Sequence, residues 1–214
     1  MKKRLYLIRH GQTLFNLRKK IQGASDSPLT VLGRQQPVRV REYFEQNNID
    51  IDHYYCSTSE RASDTLEIIA PGKQYTRLKG IKEMNFGILE GESEDLHQPR
   101  SEEQKTWGDL YVKFGGESAD QVQERLSKTL IEIMEKPDHK NVMAISHGGA
   151  CWLFTLRWFP EVDRNKVKFS NCCVLVWDYE DGVFTFVESI EDPEGTTQHM
   201  TGPTIIDAIW GLEA

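Results

Sequence analysis

The apolar positions of this chain fall into short runs, each about the length of a β-strand, with amphipathic stretches between them. Leu5 to Ile8 is an unbroken apolar run, which is typical of a strand buried on both faces of a parallel sheet. Further apolar runs predict strands at residues 54–57, 75–78, 141–146, 174–177 and 183–187. The last two runs flank Glu180-Asp181-Gly182, a turn sequence that predicts a hairpin.

Between these runs, apolar residues recur at helical spacing. The pattern predicts helices over residues 30–48, 59–70, 99–116, 117–135 and 150–159. Thr30 is the expected N-cap of the first helix, and Pro37 is expected to kink that helix or delay its start. Strands and helices alternate without an internal repeat or a dividing linker, so the sequence predicts a single α/β domain.

Composition and charge narrow the function classes. The chain has 214 residues, 38% of them hydrophobic and 28% charged, which is typical of a globular protein. Its net charge of −7 argues against nucleic-acid binding, and its apolar runs are too short for a membrane span or a signal peptide. The four cysteines lack metal-binding spacing. We therefore expect a cytoplasmic protein with reduced thiols and no membrane partner.

Candidate chemistry lies where two predicted strands end. The first strand ends in Arg9-His10-Gly11, and the strand at 141–146 ends in His147-Gly148-Gly149. Parallel strands end at the same sheet edge, so both imidazoles are expected to converge there. Arg61 lies in the first turn of another helix, where an anionic ligand would favour a cation. The alternative is that these are ordinary surface side chains at strand ends.

The remaining histidines lie outside any motif. These are His53, His97, His139 and His199, and we expect them at the surface.

Several motifs in order resemble those of the histidine phosphatase superfamily, the phosphoglycerate-mutase-like enzymes. They are Arg9-His10-Gly11-x-Thr13 with Asn16, Asp26-x-Pro28-Leu29-Thr30-x-x-Gly33, Ser59-x-Arg61-Ala62-x-x-Thr65, Glu83-x-x-x-Gly87-x-x-Glu90-Gly91, Ser146-His147-Gly148-Gly149 and Asn171-Cys172. Gln12 departs from the glutamate usual in the family. The resemblance implies a three-layer α/β sandwich with a mostly parallel central sheet. It also implies one domain over residues 1–214, with a helical insertion at about 92–138.

The resemblance also implies a role for each site residue. His10 would be the phosphorus nucleophile and Glu83 the proton donor to the leaving group. The phosphate would be bound by a set of polar groups: Arg9, Asn16, Gln22, Gly23, Arg61, His147 and Gly148. Of these, Arg9, Arg61 and His147 would also stabilise the transition state. No metal and no cofactor are expected. His10, His147 and Glu83 could instead ligate zinc, although the adjacent arginines would repel a cation.

The phosphatase branch is the better match, because only residues 92–146 separate the acid loop from the second histidine. The expected function is a metal-independent phosphomonoester hydrolase acting on small phosphorylated metabolites. A cofactor-dependent phosphoglycerate mutase and a non-catalytic phosphate- or phosphopeptide-binding protein remain alternatives. Trp107, Tyr111 and Phe114 would wall the pocket or form the packed face of one helix. Residues 196–210 form a hypothetical lid, and the sequence leaves a homodimer open.

Overall fold

A computed structural model describes residues 2–97, 104–163, 167 and 169–191. Its strands form one mixed sheet in the order β3-β2-β4-β1-β5-β6. They are β1 (Lys3–Arg9), β2 (His53–Ser57), β3 (Thr76–Leu78), β4 (Asn141–Ser146), β5 (Val174–Glu180) and β6 (Val183–Ile190). Strands β3, β2, β4 and β1 run parallel to one another, whereas β5 is antiparallel to both of its neighbours, β1 and β6. The predicted mostly parallel sheet and the terminal hairpin are both confirmed.

Helices cover both faces of this sheet. They are α1 (Leu14–Leu17), α2 (Val31–Gln46), α3 (Glu60–Ile69), α4 (Ala119–Met134) and α5 (Gly148–Trp158). Alternate residues of β1 point to opposite faces. Leu5 and Leu7 belong to the core cluster that includes apolar side chains of α4 and α5, while Tyr6 and Ile8 belong to the cluster shared with α2 and α3. The result is the expected three-layer sandwich, with β1 buried at its centre.

Helix α2 begins where its cap predicts, despite the proline inside it. The Thr30 hydroxyl accepts a hydrogen bond from the Gly33 N–H, and the helix runs from Val31 through Pro37 to Gln46. Pro37 cannot donate to the carbonyl of Gly33 four residues earlier. That carbonyl lies against Gly11, where an added Cβ would be only 2.2 Å away. The start of the helix is therefore not delayed, and the freed carbonyl packs beside the β1 loop.

The predicted helix over residues 99–116 is wrong for the part that the structure describes. Residues 104–116 contain only a short 3₁₀ turn, Val112–Phe114. Gly108 and Gly115 have φ angles of 56° and 78°, left-handed conformations that an α-helix cannot include. Within the predicted insertion, α4 supplies the α-helix.

Three further expectations concern membrane spans, the C-terminal segment and the histidines outside the motifs. None of the described helices combines the length and apolarity needed to cross a bilayer. The hypothetical lid at 196–210 and His199 lie outside the described residues. His139 corrects the expectation of a surface histidine, because its side chain is only 3% exposed.

Candidate active site

The two strand-end histidines meet, as their positions predict. β1 and β4 are parallel neighbours, with Arg9 opposite Ser146. The residues that follow, His10 and His147, place their ring centroids 5.2 Å apart at an interplanar angle of 62°. Both side chains are buried, with exposed fractions of 3% and 0%. The sheet edge therefore holds two buried imidazoles side by side, of which His10 lines the cavity described below and His147 does not.

The neighbouring backbone carbonyl of Gly11 fixes the tautomer of His10. Its Nδ1 lies 2.7 Å from the Gly11 carbonyl oxygen. A carbonyl can only accept, so Nδ1 carries the proton and Nε2 keeps its lone pair. Burial lowers the pKa of His10 well below its usual value, and the charges of Arg61 and Arg9 lower it further. The ring is thus neutral, the form that a nucleophile requires.

His147 is buried without a partner for either ring nitrogen among the described residues. Burial holds its pKa well below the usual value, with further contributions from Arg61 and His10. Buried polar atoms are nearly always hydrogen-bonded, so two orphaned nitrogens on one ring indicate a place for a polar ligand. His147 faces His10, and a group bound to one imidazole is within reach of the other.

Arg9 contributes a partly free guanidinium to the same pocket. Its Nη1 donates to the Phe169 carbonyl oxygen at 2.5 Å, while its buried Nε finds no partner among the described residues. A Cβ on Gly148 would lie 3.0 Å from this Nε. Glycine at 148 therefore keeps the approach to the guanidinium open.

Arg61 lies near both histidines, and its charge lowers the pKa of each. It is completely buried in the first turn of α3 and does not line the described cavity. Its Nη atoms donate to Ser25 O, Asp26 Oδ1 and Gly23 O at 3.0, 2.9 and 3.0 Å. Its Nε is buried without a partner among the described residues. The guanidinium thus clamps the loop at 23–26 and keeps one N–H available.

Glu83 is fixed at the N-terminus of α5. Its Oε1 accepts the N–H groups of Met84 and Ala150 at 2.8 and 2.7 Å, and its Oε2 accepts that of Gly149 at 2.8 Å. An added Cβ on Gly149 would come within 2.8 Å of Oε1, so the carboxylate needs glycine there. Glu83 lines the same cavity as His10, as the role of a proton donor requires.

Asn16 and Gln22 also line the cavity. The Oδ1 of Asn16 accepts the Thr13 N–H at 3.1 Å and the Asn171 amide at 3.3 Å. With its oxygen used twice, Asn16 has its NH₂ group to offer a ligand. Gln22 is held by the Thr13 and Ser27 hydroxyls at 2.7 and 3.0 Å. Both amides are positioned by their neighbours before any ligand arrives.

Gly23 is placed differently from the prediction. Its N–H donates to Glu90 Oε2 at 2.9 Å, and it is absent from the cavity lining. That N–H is therefore already occupied by Glu90. Glu90 also accepts from the backbone of Ala24, Ser25 and Phe86. Although burial alone would raise it, these donors hold the pKa of Glu90 below its usual value. Glu90 therefore stabilises the loop at residues 23–25.

The cavity has a volume of about 420 Å³ and includes residues that sequence reasoning missed. Beyond the predicted groups, its lining adds Lys20, Ile21, Phe86, Glu94, His97, Trp152 and Phe169. Lys20 and Glu94 are joined by pairing between residues 19–21 and 92–94, including the Glu94 N–H to the Lys19 carbonyl at 2.8 Å. This pairing is non-local and leaves no motif in the sequence.

Aromatic rings form one wall of the cavity. Trp107 lines it, as one of the two alternatives predicted, while Tyr111 is buried behind the wall and Phe114 packs against the core. His97 stacks on Trp107 with ring centroids 4.8 Å apart, and its Nδ1 lies 2.5 Å from the Tyr111 hydroxyl. His97 is therefore partly buried and belongs to the lining of the cavity.

Comparisons with known proteins agree with this geometry. The family model described as histidine phosphatase superfamily (branch 1) matches residues 5–192. A curated relative named "Probable phosphoglycerate mutase GpmB", from Salmonella paratyphi A, is 30% identical over 212 residues, which cover 94% of this chain and 96% of the relative.

Two solved structures have the same fold. A phosphoserine phosphatase from Entamoeba histolytica, in complex with 3-phosphoglyceric acid, has a TM-score of 0.71 at 27% identity, covering 88% of this chain and 96% of that one. A phosphoglycerate mutase from Bacillus anthracis strain Sterne has a TM-score of 0.76 at 24% identity, covering 90% and 94%. The second likeness is one of fold alone.

Proposed function

Because the chain belongs to the histidine phosphatase superfamily, we propose that it is a metal-independent phosphomonoesterase that works through a phosphohistidine on His10. One observation carries the proposal. Around the lone pair of His10 lie the unpartnered nitrogens of Arg9 and His147, with the buried Arg61 behind them. Such an arrangement suits a trigonal phosphoryl group, whose oxygens need donors on several sides.

In the first step, Nε2 of His10 attacks phosphorus as the ester P–O bond breaks. Arg9, His147 and Asn16 donate to the phosphoryl oxygens, where their charges and dipoles act in a water-poor site. Protonated Glu83 gives its proton to the departing alkoxide, which leaves as the alcohol. The phosphoryl group is now bonded to Nε2.

In the second step, a water molecule enters from the side that the alcohol left. The Glu83 carboxylate removes one of its protons as the water oxygen bonds to phosphorus. The N–P bond breaks, inorganic phosphate departs, and Glu83 is again protonated. Each cycle thus consumes one ester and one water molecule and returns His10 to its starting form.

The cavity supports a small substrate with charged groups on its alcohol part. At about 420 Å³, it is at the low end of the range for small-molecule sites. Lys20 is suited to a carboxylate, and Glu94, beside the aromatic wall, is suited to an ammonium group. Phosphorylated hydroxy acids and amino acids of three carbons fit this description. The Entamoeba structures are named for phosphoserine phosphatase, and one holds 3-phosphoglyceric acid while another holds phosphoserine.

Phosphoserine and 3-phosphoglycerate differ at the ammonium position, so they test the role of Glu94. We expect Glu94→Gln to lower kcat/KM for phosphoserine about tenfold, the loss of one charge-assisted hydrogen bond. Its kcat/KM for 3-phosphoglycerate should not fall. Equal losses for both would show that Glu94 does not select the substrate.

The decisive experiment follows phosphate release from p-nitrophenyl phosphate in EDTA, with rapid acid-free quenching to trap the phosphoenzyme. We expect turnover that resists EDTA and a base-stable, acid-labile phosphoenzyme, both lost in His10→Ala. His97→Gln is the matched control, because it changes another imidazole of the same cavity and should retain the phosphoenzyme. Turnover in His10→Ala would contradict the proposal.

The mutase remains the second candidate, favoured by the name of the Salmonella relative. Incubation with 3-phosphoglycerate and a bisphosphate primer separates the two. A phosphatase releases inorganic phosphate, whereas a mutase yields the positional isomer with little free phosphate. Bound phosphate without either reaction would indicate a binding protein.

A further inference from the structure

The segment at residues 80–85, which carries Glu83, has little secondary structure of its own. Beyond the 3₁₀ turn at Lys79–Ile81, residues 82–86 belong to no helix or strand. The carboxylate of Glu83 is fixed by N–H groups at the start of α5. The backbone of the segment needs other partners, because buried carbonyls are nearly always hydrogen-bonded.

Arg125 of α4 supplies those partners. Its Nη1 donates to the carbonyl oxygens of Gly80 and Lys82 at 3.0 and 2.8 Å, and its Nη2 donates to that of Glu83 at 2.8 Å. Helix α4 approaches the segment closely, since an added Cβ on Gly80 would lie 1.9 Å from Thr129 Oγ1. One planar guanidinium therefore holds three carbonyls of the segment, including that of the acid itself.

Glu117 binds the other side of this guanidinium. Its Oε1 accepts from Arg125 Nε at 2.7 Å and its Oε2 accepts from Nη2 at 2.9 Å, which is a bidentate pair. The same Oε2 accepts the Asn85 N–H at 2.9 Å, and the Glu117 N–H donates to the Asn85 carbonyl at 2.8 Å. Although burial alone would raise it, the hydrogen bond and charge of Arg125 hold the pKa of Glu117 below its usual value. The ion pair thus holds the backbone on both sides of Glu83.

We propose that Arg125, supported by Glu117, positions Glu83 for proton transfer to the leaving group. Neither side chain lines the cavity, so neither touches the substrate. General acid catalysis needs the carboxyl group within hydrogen-bond reach of the departing oxygen, and a misplacement near 1 Å costs about 10²-fold in rate. The bonds to Arg125 fix the backbone from which the Glu83 side chain starts. This role rests on the proposed phosphatase function.

The test compares Arg125→Lys with the unaltered protein on two substrates. Lysine keeps the positive charge, which also lowers the pKa of His147, but it lacks the planar fork that holds several acceptors at once. The value of kcat/KM covers the steps up to departure of the alcohol, so it includes the proton transfer from Glu83. We expect it to fall about 10²-fold for 3-phosphoglycerate. It should fall far less for p-nitrophenyl phosphate, whose leaving group needs no proton.

A double-mutant cycle tests whether the effect passes through Glu83. In Glu83→Gln protein the proton donor is already absent, so adding Arg125→Lys should cause little further loss with 3-phosphoglycerate. A general disturbance of the fold would lower the rate by the same factor in both backgrounds. Glu117→Gln is the milder variant, which serves if Arg125→Lys does not fold. It keeps an acceptor oxygen for Arg125 and should give a smaller loss of the same kind.

Arg4→Lys is the matched control. Arg4 also forms a partly buried pair through two hydrogen bonds, to Asp178 Oδ1 at 3.0 and 2.8 Å, but it lies at the start of β1. This variant should leave the ratio between the two substrates unchanged. Equal losses of kcat/KM for both substrates in Arg125→Lys and Glu117→Gln would overturn the positioning role and leave the phosphatase proposal intact. No turnover and no phosphoenzyme in the unaltered protein would overturn the proposed function, and this role with it.

Discussion

The two histidine pairs of this protein are built from the same residue type on the same sheet, yet their surroundings are opposite in charge. At the carboxyl end of β1 and β4, His10 and His147 lie near the charges of Arg9 and Arg61, and neither ring nitrogen of His147 has a hydrogen-bond partner among the described residues. At the amino end of β2 and β4, every ring nitrogen of His53 and His139 faces a carboxylate or a phenol.

This difference shows that the neighbours of an imidazole decide which ligand it can receive. Arginines and unpartnered nitrogens favour an anion, while carboxylates favour a proton. Strand β4 serves both ends, since His139 precedes it and His147 follows it. The following predictions test this comparison, beginning with the largest expected effect.

Glu83 is a carboxylate at the end of the sheet where His10 lies near two arginines, and the proposed mechanism gives it the role of proton donor. We expect Glu83→Gln to lower kcat for an alkyl phosphate such as 3-phosphoglycerate about 10³-fold, as general acid catalysis predicts. Because p-nitrophenolate leaves without a proton, its phosphorylation step should slow far less. The measurement is the ratio of the two rates. Equal losses would mean that Glu83 only caps α5.

Gly149 keeps this carboxylate in place. In Gly149→Ala the new Cβ would lie 2.8 Å from Glu83 Oε1 and displace it. A shift near 1 Å costs about 10²-fold in rate, so kcat should fall by that amount with alkyl phosphates. The control is Gly72→Ala, whose Cβ would contact nothing within 4 Å but whose φ of 74° makes alanine strained, so this variant shows whether a loss of stability alone lowers kcat. Full activity in Gly149→Ala would show that the position of Glu83 is not critical.

The free energy of unfolding should depend on pH through the buried histidines, and the two histidine pairs should contribute to this dependence unequally. The pKa of His147 is well below 6.5 when folded, so the unfolded chain binds more protons below about pH 6.5. Stability therefore falls as the pH drops through that window, by about 1.4 kcal/mol per pH unit for each such histidine. His10 adds a contribution of the same sign. Urea unfolding between about pH 7 and 5.5 measures the slope.

Histidine variants measure how much of this pH slope each pair contributes. His147→Gln should reduce it by about 1.4 kcal/mol per pH unit. His139→Gln should reduce it less: burial lowers the pKa of His139, but its hydrogen bond to Asp138 opposes the shift. A larger reduction from His139→Gln than from His147→Gln would mean that the His53 and His139 pair contributes more to the pH slope than the His10 and His147 pair.

The smallest effect is expected at Asp138. Its side chain is 68% exposed, so its contacts with the rings of His53 and His139 are screened by water. Asp138→Asn should leave the urea midpoint unchanged. A large loss would mean that Asp138 holds the two rings in place.

Local sequence was enough to predict most of the architecture. The apolar run at Leu5 to Ile8, the Thr30 cap and the apolar spacing over residues 117–135 act within a few residues, and the structure has the elements that these signals predict. The convergence of His10 and His147 also follows from local sequence, once both strands are parallel. The segment at 104–116 was misjudged because its aromatic spacing is helical, while Gly108 and Gly115 interrupt it with left-handed turns.

Features that depend on distant contacts could not be predicted. The cavity rim joins Lys20 to Glu94 through pairing of segments about seventy residues apart, counted along the sequence. His53 and His139 meet only because β2 and β4 are neighbours in the sheet. Gly23 was expected to bind phosphate, but its N–H donates to Glu90, which lies 67 residues later in the chain and is brought to it only by the fold.

The central position of β1 has a consequence for synthesis. Its partners β4 and β5 end at residues 146 and 180, so this apolar strand waits for both. At ribosomal speeds that delay is about 10 to 30 s, during which Leu5 to Ile8 could associate with other nascent chains. Lys2, Lys3 and Arg4 precede the run, and such charges act as gatekeepers against aggregation. In the finished fold Lys2 and Arg4 pair with Asp178 of β5, so charges that protect the nascent strand later hold it in the sheet.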